Sequence, residues 1–230
     1  MAALTVVDLA AVVYSAGKVF DGLSVGRLDT ENFLRFGSLD GIASRADLAL
    51  LEDLRDAAQY VVDHAGRTID SEFVRAVNAT ITRSGALHPG QLRTQAQSIG
   101  VATPYGRHTP DALSEVGLQA VLTDAMRSGD VWENALDLFV GLAKAQPFED
   151  GNKRTAVFVA NGLLIGSKSG ALLTIPVDDD DPGLARTFND LLARAYIYGD
   201  HDGVKGLLQP VFVRLIQPHE TRADQREDPP

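Results

Sequence analysis

The chain has 230 residues, of which 45% are hydrophobic and 23% charged, values typical of a globular protein with one core and at most a small accessory lobe. Its formal net charge of −10 argues against sequence-independent binding of DNA or RNA, which requires clustered lysine and arginine. Because it contains no cysteine, a disulfide framework, a thiolate metal site and a thiol nucleophile are excluded.

The hydrophobic periodicity predicts one helix after another. Helices are expected at about 5–19, shortly after 29, and at about 44–64, 70–83, 109–122, 130–142, 157–165, 182–192 and 204–216. Ser44 and Asp130 have the side chains of N-caps, and Pro182 suits the first turn of a helix. Pro210 would kink the last helix. Strand patterns are confined to short pieces near 98–101 and 171–175.

Two segments depart from the helical pattern. Residues 84–108 contain four glycines and two prolines and are too long for a simple connection between helices. Such loops tend to be functional, although a surface excursion without a role remains the alternative. Residues 218–230 are polar and charged, and we expect a disordered tail there. The N-terminal residues lack the basic region of a signal peptide, so we expect a cytoplasmic protein with no membrane partner.

The chemically most informative stretch is residues 146–156, QPFEDGNKRTA. Within it, residues 150–154 combine an acid, a glycine, an amide and two cations between two apolar helical runs. Backbone amides at a helix start, together with cations, form an anion site, and Asp150 could hold Mg²⁺ that bridges to a phosphate. The residues therefore predict a phosphate and metal site that is not a Walker loop. A charged turn followed by a helix N-terminus is the alternative that the spacing leaves open.

The same stretch resembles the motif of the Fic/Doc (Fido) family, roughly H-P-F-x-D/E-G-N-G/K-R, and its Lys153-Thr155-Ala156 variant is closest to the Doc branch. Residues 90–93, GQLR, are similar to the element that precedes the substrate flap of Fic proteins, and residues 198–208 resemble the end of the domain. The resemblance implies an all-α fold, a Fic-type helical bundle with a small β-hairpin flap. The target-binding flap would comprise Ser98, Ile99, Gly100, Val101 and Tyr105.

The resemblance also implies an organisation and an activity. Residues 1–69 would be N-terminal helices that cover the core, 70–217 the Fic/Doc-like core, and 218–230 the tail. Fic proteins usually transfer AMP from ATP to a Ser, Thr or Tyr hydroxyl of a target protein, and Doc-like members transfer a phosphate. ATP, or another nucleoside triphosphate, and Mg²⁺ are therefore the expected cofactors. The biology would be toxin-like, with an antitoxin protein as a further partner.

The family roles carry over to matching positions of this motif. Asp150 would hold the metal, and Arg154 would clamp a phosphate as a catalytic residue. Nucleotide binding is expected to involve Phe148, Gly151, Asn152, Lys153 and Arg154. Phe148 would act by anchoring the loop in the core. Lys153 stands where adenylylating members have glycine, and a long cation there would crowd a phosphate subsite, which favours the Doc-like arrangement of the nucleotide.

One position departs from the family pattern: Gln146 stands where the family has its catalytic histidine. An amide does not accept a proton near neutral pH, so Gln146 cannot act as the general base. Three explanations remain open: a degenerate member that binds nucleotide without catalysis, a base that comes from elsewhere or is dispensable, and an introduced replacement of histidine. A catalytically silent nucleotide-binding or protein-interaction module is therefore the alternative function.

Other residues give weaker indications. Fic relatives are often restrained by a helix with the motif S/T-x-x-x-E-G/N, whereas residues 15–22 have different spacing and no glutamate. If the first helix is inhibitory, Asp21 is the acid that would face Arg154; otherwise that helix covers the core. His88 could replace the missing base or be a solvated loop residue. The aspartates at 178–181 favour a charged helix start over a calcium site, because they lack EF-hand spacing.

Overall fold

A computed structural model describes residues 4–85, 87–97, 99–208 and 210–212. In these ranges a 3₁₀ turn at Val6–Leu9 is followed by nine α-helices and four short strands. The helices are α1 (Ala10–Asp21), α2 (Arg27–Phe36), α3 (Arg45–Asp63), α4 (Ser71–Ala79), α5 (Glu115–Ala125), α6 (Val131–Ala145), α7 (Asn152–Gly166), α8 (Pro182–Tyr198) and α9 (Asp202–Leu207). The strands are β1 (Val101–Thr103), β2 (Gly106–His108), β3 (Ala171–Leu173) and β4 (Pro210–Phe212).

Helix α7 lies at the centre of the bundle. Twelve of its 15 residues are buried, which is the pattern of a helix surrounded by others rather than one with a single apolar face. It packs against α1, α3, α4 and α6, and its closest association is with α6. Because residues 146–151 connect α6 to α7, the motif is held at the start of the most buried helix of the fold.

The strands form two antiparallel pairs. β1 and β2 make a hairpin in which Val101 pairs with His108 and Thr103 with Gly106, so Pro104 and Tyr105 form the turn. β3 pairs with β4, with Ala171 opposite Phe212. The expected all-α fold with a small β-hairpin is therefore confirmed, and the hairpin falls within the segment expected to form the flap. Ser98 lies outside the described residues.

Several helix starts agree with the sequence. The Ser44 hydroxyl accepts hydrogen bonds from the N–H groups at the start of α3, and Asp130 does the same for α6. Asp181 caps α8, with Pro182 in its first turn. Cap chemistry depends on neighbouring residues alone, which is why these starts are readable from sequence.

Three predicted helix boundaries were wrong. α4 ends at Ala79 rather than near 83, because the N–H groups of residues 82–84 bind the carboxylate of Asp53 instead of continuing the helix. α5 begins at Glu115 and not at 109, since the carbonyl groups of Pro110 and Asp111 accept hydrogen bonds from Arg93.

The third error concerns the last predicted helix. α9 ends at Leu207, and Pro210 is the first residue of β4 rather than a kink within a helix. The first position of a strand tolerates proline, which has no N–H to donate to the ladder. The remainder of that predicted helix, 213–216, and the predicted tail at 218–230 lie outside the described residues.

Across the described residues, no helix combines the length and apolar character needed to cross a membrane.

Candidate functional site

The chain reverses direction between α6 and α7 through two residues with positive φ. Gln146 ends α6 in the left-handed region, with φ 48° and ψ 55°, and Gly151 precedes α7 with φ 72°. The positive φ favours glycine at position 151, and a Cβ there would also lie 2.6 Å from the Cδ1 atom of Ile81, so that side chain would have to shift. The tight turn leaves the first N–H groups of α7 without intrahelical acceptors, as at any helix start.

Asn152 closes this loop from within. Its Oδ1 accepts from the backbone N–H of Phe148 at 2.8 Å, and its Nδ2 donates to the carbonyl of Phe148 at 2.9 Å and to Oε1 of Gln146 at 3.2 Å. Gln146 in turn donates from Nε2 to the Ala143 carbonyl at 2.6 Å. Both side chains are buried, and their amide groups hold the shape of the loop.

Asn78 holds the loop from α4. Its Nδ2 donates to the Asp150 carbonyl at 3.1 Å and to the Thr155 hydroxyl at 3.0 Å, and its Oδ1 accepts from the N–H of Gly90 at 2.8 Å. One buried amide therefore ties together α4, the motif and the GQLR element. Sequence reasoning missed Asn78, which looks like an ordinary polar helix residue.

Arg93 connects the motif to the segment that follows the hairpin. Its Nε donates to the carbonyl of Gln146 at 2.8 Å, and its terminal nitrogen donates to the carbonyls of Pro110 and Asp111. Burial lowers the pKa of Arg93, although the charge of Asp111 opposes this. A buried guanidinium with carbonyl acceptors acts as a cross-link, which is a role that the GQLR resemblance alone did not reveal.

The two motif cations converge with acids at the start of α7. The Arg154 side chain is 3% exposed, and its guanidinium lies 3.5 Å from Asp21 and 3.6 Å from Asp150. The Lys153 ammonium lies 4.9 Å from the centre of the Phe20 ring. Burial lowers the pKa of Lys153, and burial likewise raises the pKa of Asp21 although both cations oppose that rise. The C-terminal end of α1 thus contacts both cations, through Asp21 and Phe20.

These groups line a cavity of about 300 Å³. It brings together most of the residues that the sequence predicted, namely Gly100, Val101, Gln146, Asp150, Gly151, Asn152, Lys153 and Arg154. Asp21, the acid expected to face Arg154 if the first helix is inhibitory, also lines it, together with Phe20 and Glu149. Phe148 is buried in the core behind the loop. The side chain of Tyr105 does not line this cavity. Its hydroxyl donates a hydrogen bond shared between the two carboxylate oxygens of Asp190 on α8, at 2.8 and 2.9 Å.

A larger cavity of about 680 Å³ lies beside the first, between the hairpin and α8. Lys153 and Val101 line both cavities, so the two are adjacent. The wall formed by α8 includes Asn189, Asp190 and Tyr196. The Tyr196 hydroxyl is buried and has no hydrogen-bond partner among the described residues. This cavity could not be predicted from the sequence, because its walls come from separate segments.

His88 contacts the motif from the loop before the hairpin. Its Nδ1 lies 3.0 Å from Oε2 of Glu149, and the side chain of Gln97 donates to the other oxygen of that carboxylate. The hydrogen bond from His88 is the main reason that the pKa of Glu149 is lowered. His88 itself is half exposed and does not line the 300 Å³ cavity, so its contact with the motif is through Glu149.

The carboxylates of the site could bind a metal ion only together with phosphate oxygens. Within the described ranges, no group of three or more His, Cys, Asp or Glu side chains is placed to hold a metal ion. Asp150 is half exposed at the cavity, and one of its oxygens accepts from the N–H of Gly151. Mg²⁺ commonly binds one or two carboxylates and completes its shell with phosphate oxygens and water, so a single carboxylate suits Mg²⁺ bound with a nucleotide.

Residues 68–164, from just before α4 through most of α7, match the model of the Fic/DOC family, so this segment is a Fic/DOC family domain. It contains the motif, the hairpin and the GQLR element. No curated protein sequence matches the chain significantly.

Solved structures support the fold. A Fic domain containing signaling protein from Bacteroides thetaiotaomicron superposes with a TM-score of 0.62 at 19% identity, covering 86% of this chain and 75% of that one. Fic-1 (aa134–508) from C. elegans superposes with a TM-score of 0.63 at 18% identity, covering 86% of this chain and 58% of that one. This chain thus spans three quarters of one relative and less than two thirds of the other.

Proposed function

We propose that this protein binds a nucleoside triphosphate with Mg²⁺ at the start of α7 and belongs functionally to the enzymes that modify hydroxyl side chains of other proteins. Members of the Fic family typically transfer AMP from ATP to proteins. The observation that carries the proposal is the convergence of Lys153, Arg154 and the N-terminal end of α7 on one cavity, which Asp150 also lines.

The adjoining cavity supports a nucleotide rather than a small anion. Its volume of about 680 Å³ falls in the range of ligand pockets, and it shares Lys153 with the anion site. The side-chain amide of Asn189 offers hydrogen-bonding groups to a base or sugar. On this proposal the phosphates lie over α7, and the nucleoside lies between the hairpin and α8.

Transfer would need a hydroxyl oxygen to form a bond to phosphorus, the bond to the leaving phosphate to break, and the hydroxyl proton to be accepted. Arg154, Lys153 and the α7 amides would neutralise charge on the transferring group, which is most of what such a reaction requires of a protein. Mg²⁺, when bound, would add to that neutralisation. Gln146 cannot accept the proton, so we expect binding to be intact and transfer to be impaired.

The environment of Gln146 favours a second candidate, a nucleotide-binding or protein-interaction module without catalysis. Both ends of its amide are hydrogen-bonded inside the loop, so glutamine is well accommodated at this position. The two candidate functions share the binding site and differ in whether AMP or phosphate is transferred from the nucleotide to a protein. In either case the expected partner is a protein, either a target with a Ser, Thr or Tyr acceptor or an antitoxin, and the expected location is the cytoplasm.

The N-terminal segment is proposed to restrain the site. Asp21 occupies the space beside Arg154 where a phosphate would be held, and Phe20 covers Lys153. Residues 1–69 would then be an inhibitory element as well as a cover for the core formed by 70–217. The contact of α1 with both cations supports this role.

Isothermal titration with ATP, with and without Mg²⁺, tests the proposed function. Asp150→Ala combined with Arg154→Ala should weaken binding severely, since the metal ligand and a buried cation are both lost. Asp124→Ala combined with Arg127→Ala is the matched control, because that pair is of the same residue types, in contact at 2.7 Å and exposed. Equal affinities of both double variants for Mg·ATP would refute nucleotide binding at this site.

A further inference from the structure

The orientation of Arg154 is not set by its acidic neighbours. Its distances to Asp21 and Asp150 are 3.5 and 3.6 Å, longer than the 2.7–2.9 Å of a charge-assisted hydrogen bond. The shortest polar contact that the described residues make with this guanidinium is from its terminal nitrogen to the hydroxyl of Ser84, at 2.8 Å. A neutral hydroxyl on the loop after α4 therefore determines where the guanidinium points.

Ser84 is itself held in one orientation. Its hydroxyl donates to Oδ2 of Asp53 at 2.7 Å, and its backbone N–H donates to the same oxygen at 2.7 Å. A serine hydroxyl has one hydrogen, and because that hydrogen is given to Asp53, a lone pair of the oxygen faces Arg154. The hydrogen bonds thus run in one direction, from Arg154 to Ser84 to Asp53.

Asp53 anchors this chain of contacts in the core. Its side chain is 0% exposed on α3, and its oxygens also accept from the N–H groups of Thr82 and Arg83 and from the Arg83 guanidinium. Burial raises the pKa of Asp53, but the hydrogen bonds from residues 82–84 outweigh burial and leave that pKa below its ordinary value. The carboxylate is therefore ionised at neutral pH and fixes the loop that carries Ser84.

We propose that Asp53 and Ser84 are positioning residues that aim Arg154 at the phosphates of the bound nucleotide. Asp53 lies on α3, outside the segment 68–164 that matches the Fic/DOC family. The N-terminal part of the chain would then contribute to building the anion site, in addition to covering it. Because Arg154 is held by Ser84, a phosphate could displace Asp21 without the guanidinium losing its orientation. This inference rests on the proposed function.

The test compares two ligands, Mg·ATP and adenosine, which lacks phosphates. Ser84→Ala should weaken Mg·ATP binding about ten-fold, the scale of one hydrogen bond to a charged group, and leave adenosine binding unchanged. Ser84→Thr keeps the hydroxyl and should restore the affinity. In an Arg154→Ala background, Ser84→Ala should cause no further loss, because its effect passes through Arg154. Ser38→Ala is the control, since that hydroxyl donates to an exposed aspartate, Asp40.

Three results would overturn the positioning role: unchanged Mg·ATP binding by Ser84→Ala, equal weakening of both ligands, or an additional loss in the Arg154→Ala background. If the unaltered protein fails to bind Mg·ATP, the proposed function itself is refuted. The positioning role is then tested by a measurement made without ligand. The Nη1–H of Arg154, which donates to the Ser84 hydroxyl and is assigned by its disappearance in Arg154→Lys, should exchange with water about ten-fold faster in Ser84→Ala. Exchange at the unaltered rate would refute the proposal on its own.

Discussion

Replacing Gln146 with histidine would place a proton acceptor at the position where the Fic/Doc motif has its catalytic histidine. Position 146 is in the left-handed region, where histidine is several-fold enriched among non-glycine residues, so the backbone accommodates the change. A neutral imidazole has one N–H and one lone pair. It can donate to the Ala143 carbonyl, as the glutamine amide now does at 2.6 Å, and keep its other nitrogen as an acceptor.

We expect Gln146→His to change the free energy of unfolding by about 1 kcal/mol or less and to raise label transfer by roughly 10²–10⁴-fold, the usual contribution of a general base. The transfer rate should increase with pH through the ordinary histidine pKa of about 6.5. The assay uses ATP labelled at the α or the γ phosphate, incubated with the protein and a cell lysate. Label from the α position reports AMP transfer, and label from the γ position alone reports phosphate transfer.

Gln146→Asn is the matched control, because asparagine also favours the left-handed region and cannot accept a proton. If Gln146→His binds Mg·ATP but transfers neither label, the base argument is wrong and the silent module is the better description. Equal transfer by the histidine and asparagine variants would mean that the proton acceptor lies elsewhere in the protein.

Three further changes probe the surroundings of the motif. Tyr105→Phe removes the hydrogen bonds to α8, so amide exchange of residues 101–108 should accelerate in mass spectrometry, and unaltered exchange would contradict anchoring of the hairpin. Asp21→Asn removes a competing charge and should tighten Mg·ATP binding roughly two- to five-fold, the range of a weak ion pair, whereas Asp124→Asn should not. Asp53→Asn should lower stability at pH 7 by about 3 kcal/mol, since it disrupts a buried charge network. Because the pKa of Asp53 is depressed in the folded protein, the stabilisation that this carboxylate contributes is present above about pH 4 and is lost as pH falls through that folded pKa. In urea unfolding, the stability of Asp53→Asn should therefore depend less steeply on pH in the acid range than that of the unaltered protein. An equally steep dependence in both proteins would contradict the role of Asp53.

The parts of the fold that depend on neighbouring residues could be predicted from the sequence. The caps at Ser44 and Asp130 and the turn at Gly151 follow from local chemistry, and the structure confirms them. The errors arose where distant groups compete for the backbone. The helix that should have continued past Ala79 stops because Asp53, far away in sequence, accepts the N–H groups that would extend it.

The candidate site divides in the same way. Motif residues such as Lys153 and Arg154 were identifiable because they are consecutive and chemically distinctive. Asn78, Asp53 and Ser84 were not, since a lone polar residue in a helix or loop resembles a solvated surface position until its partners are known. Burial and hydrogen-bond partners decide their roles, and both depend on contacts between segments that are remote in the chain.

The contact between the end of α1 and the motif has a thermodynamic consequence. If a carboxylate of the chain and a phosphate compete for the same guanidinium, then whatever draws Asp21 away from Arg154 raises the affinity for nucleotide. By reciprocity, nucleotide must raise the affinity of that second ligand for the displaced helix by the same factor. The affinity of a protein that binds α1 would therefore depend on the ATP concentration, even though that protein and ATP make no contact with each other.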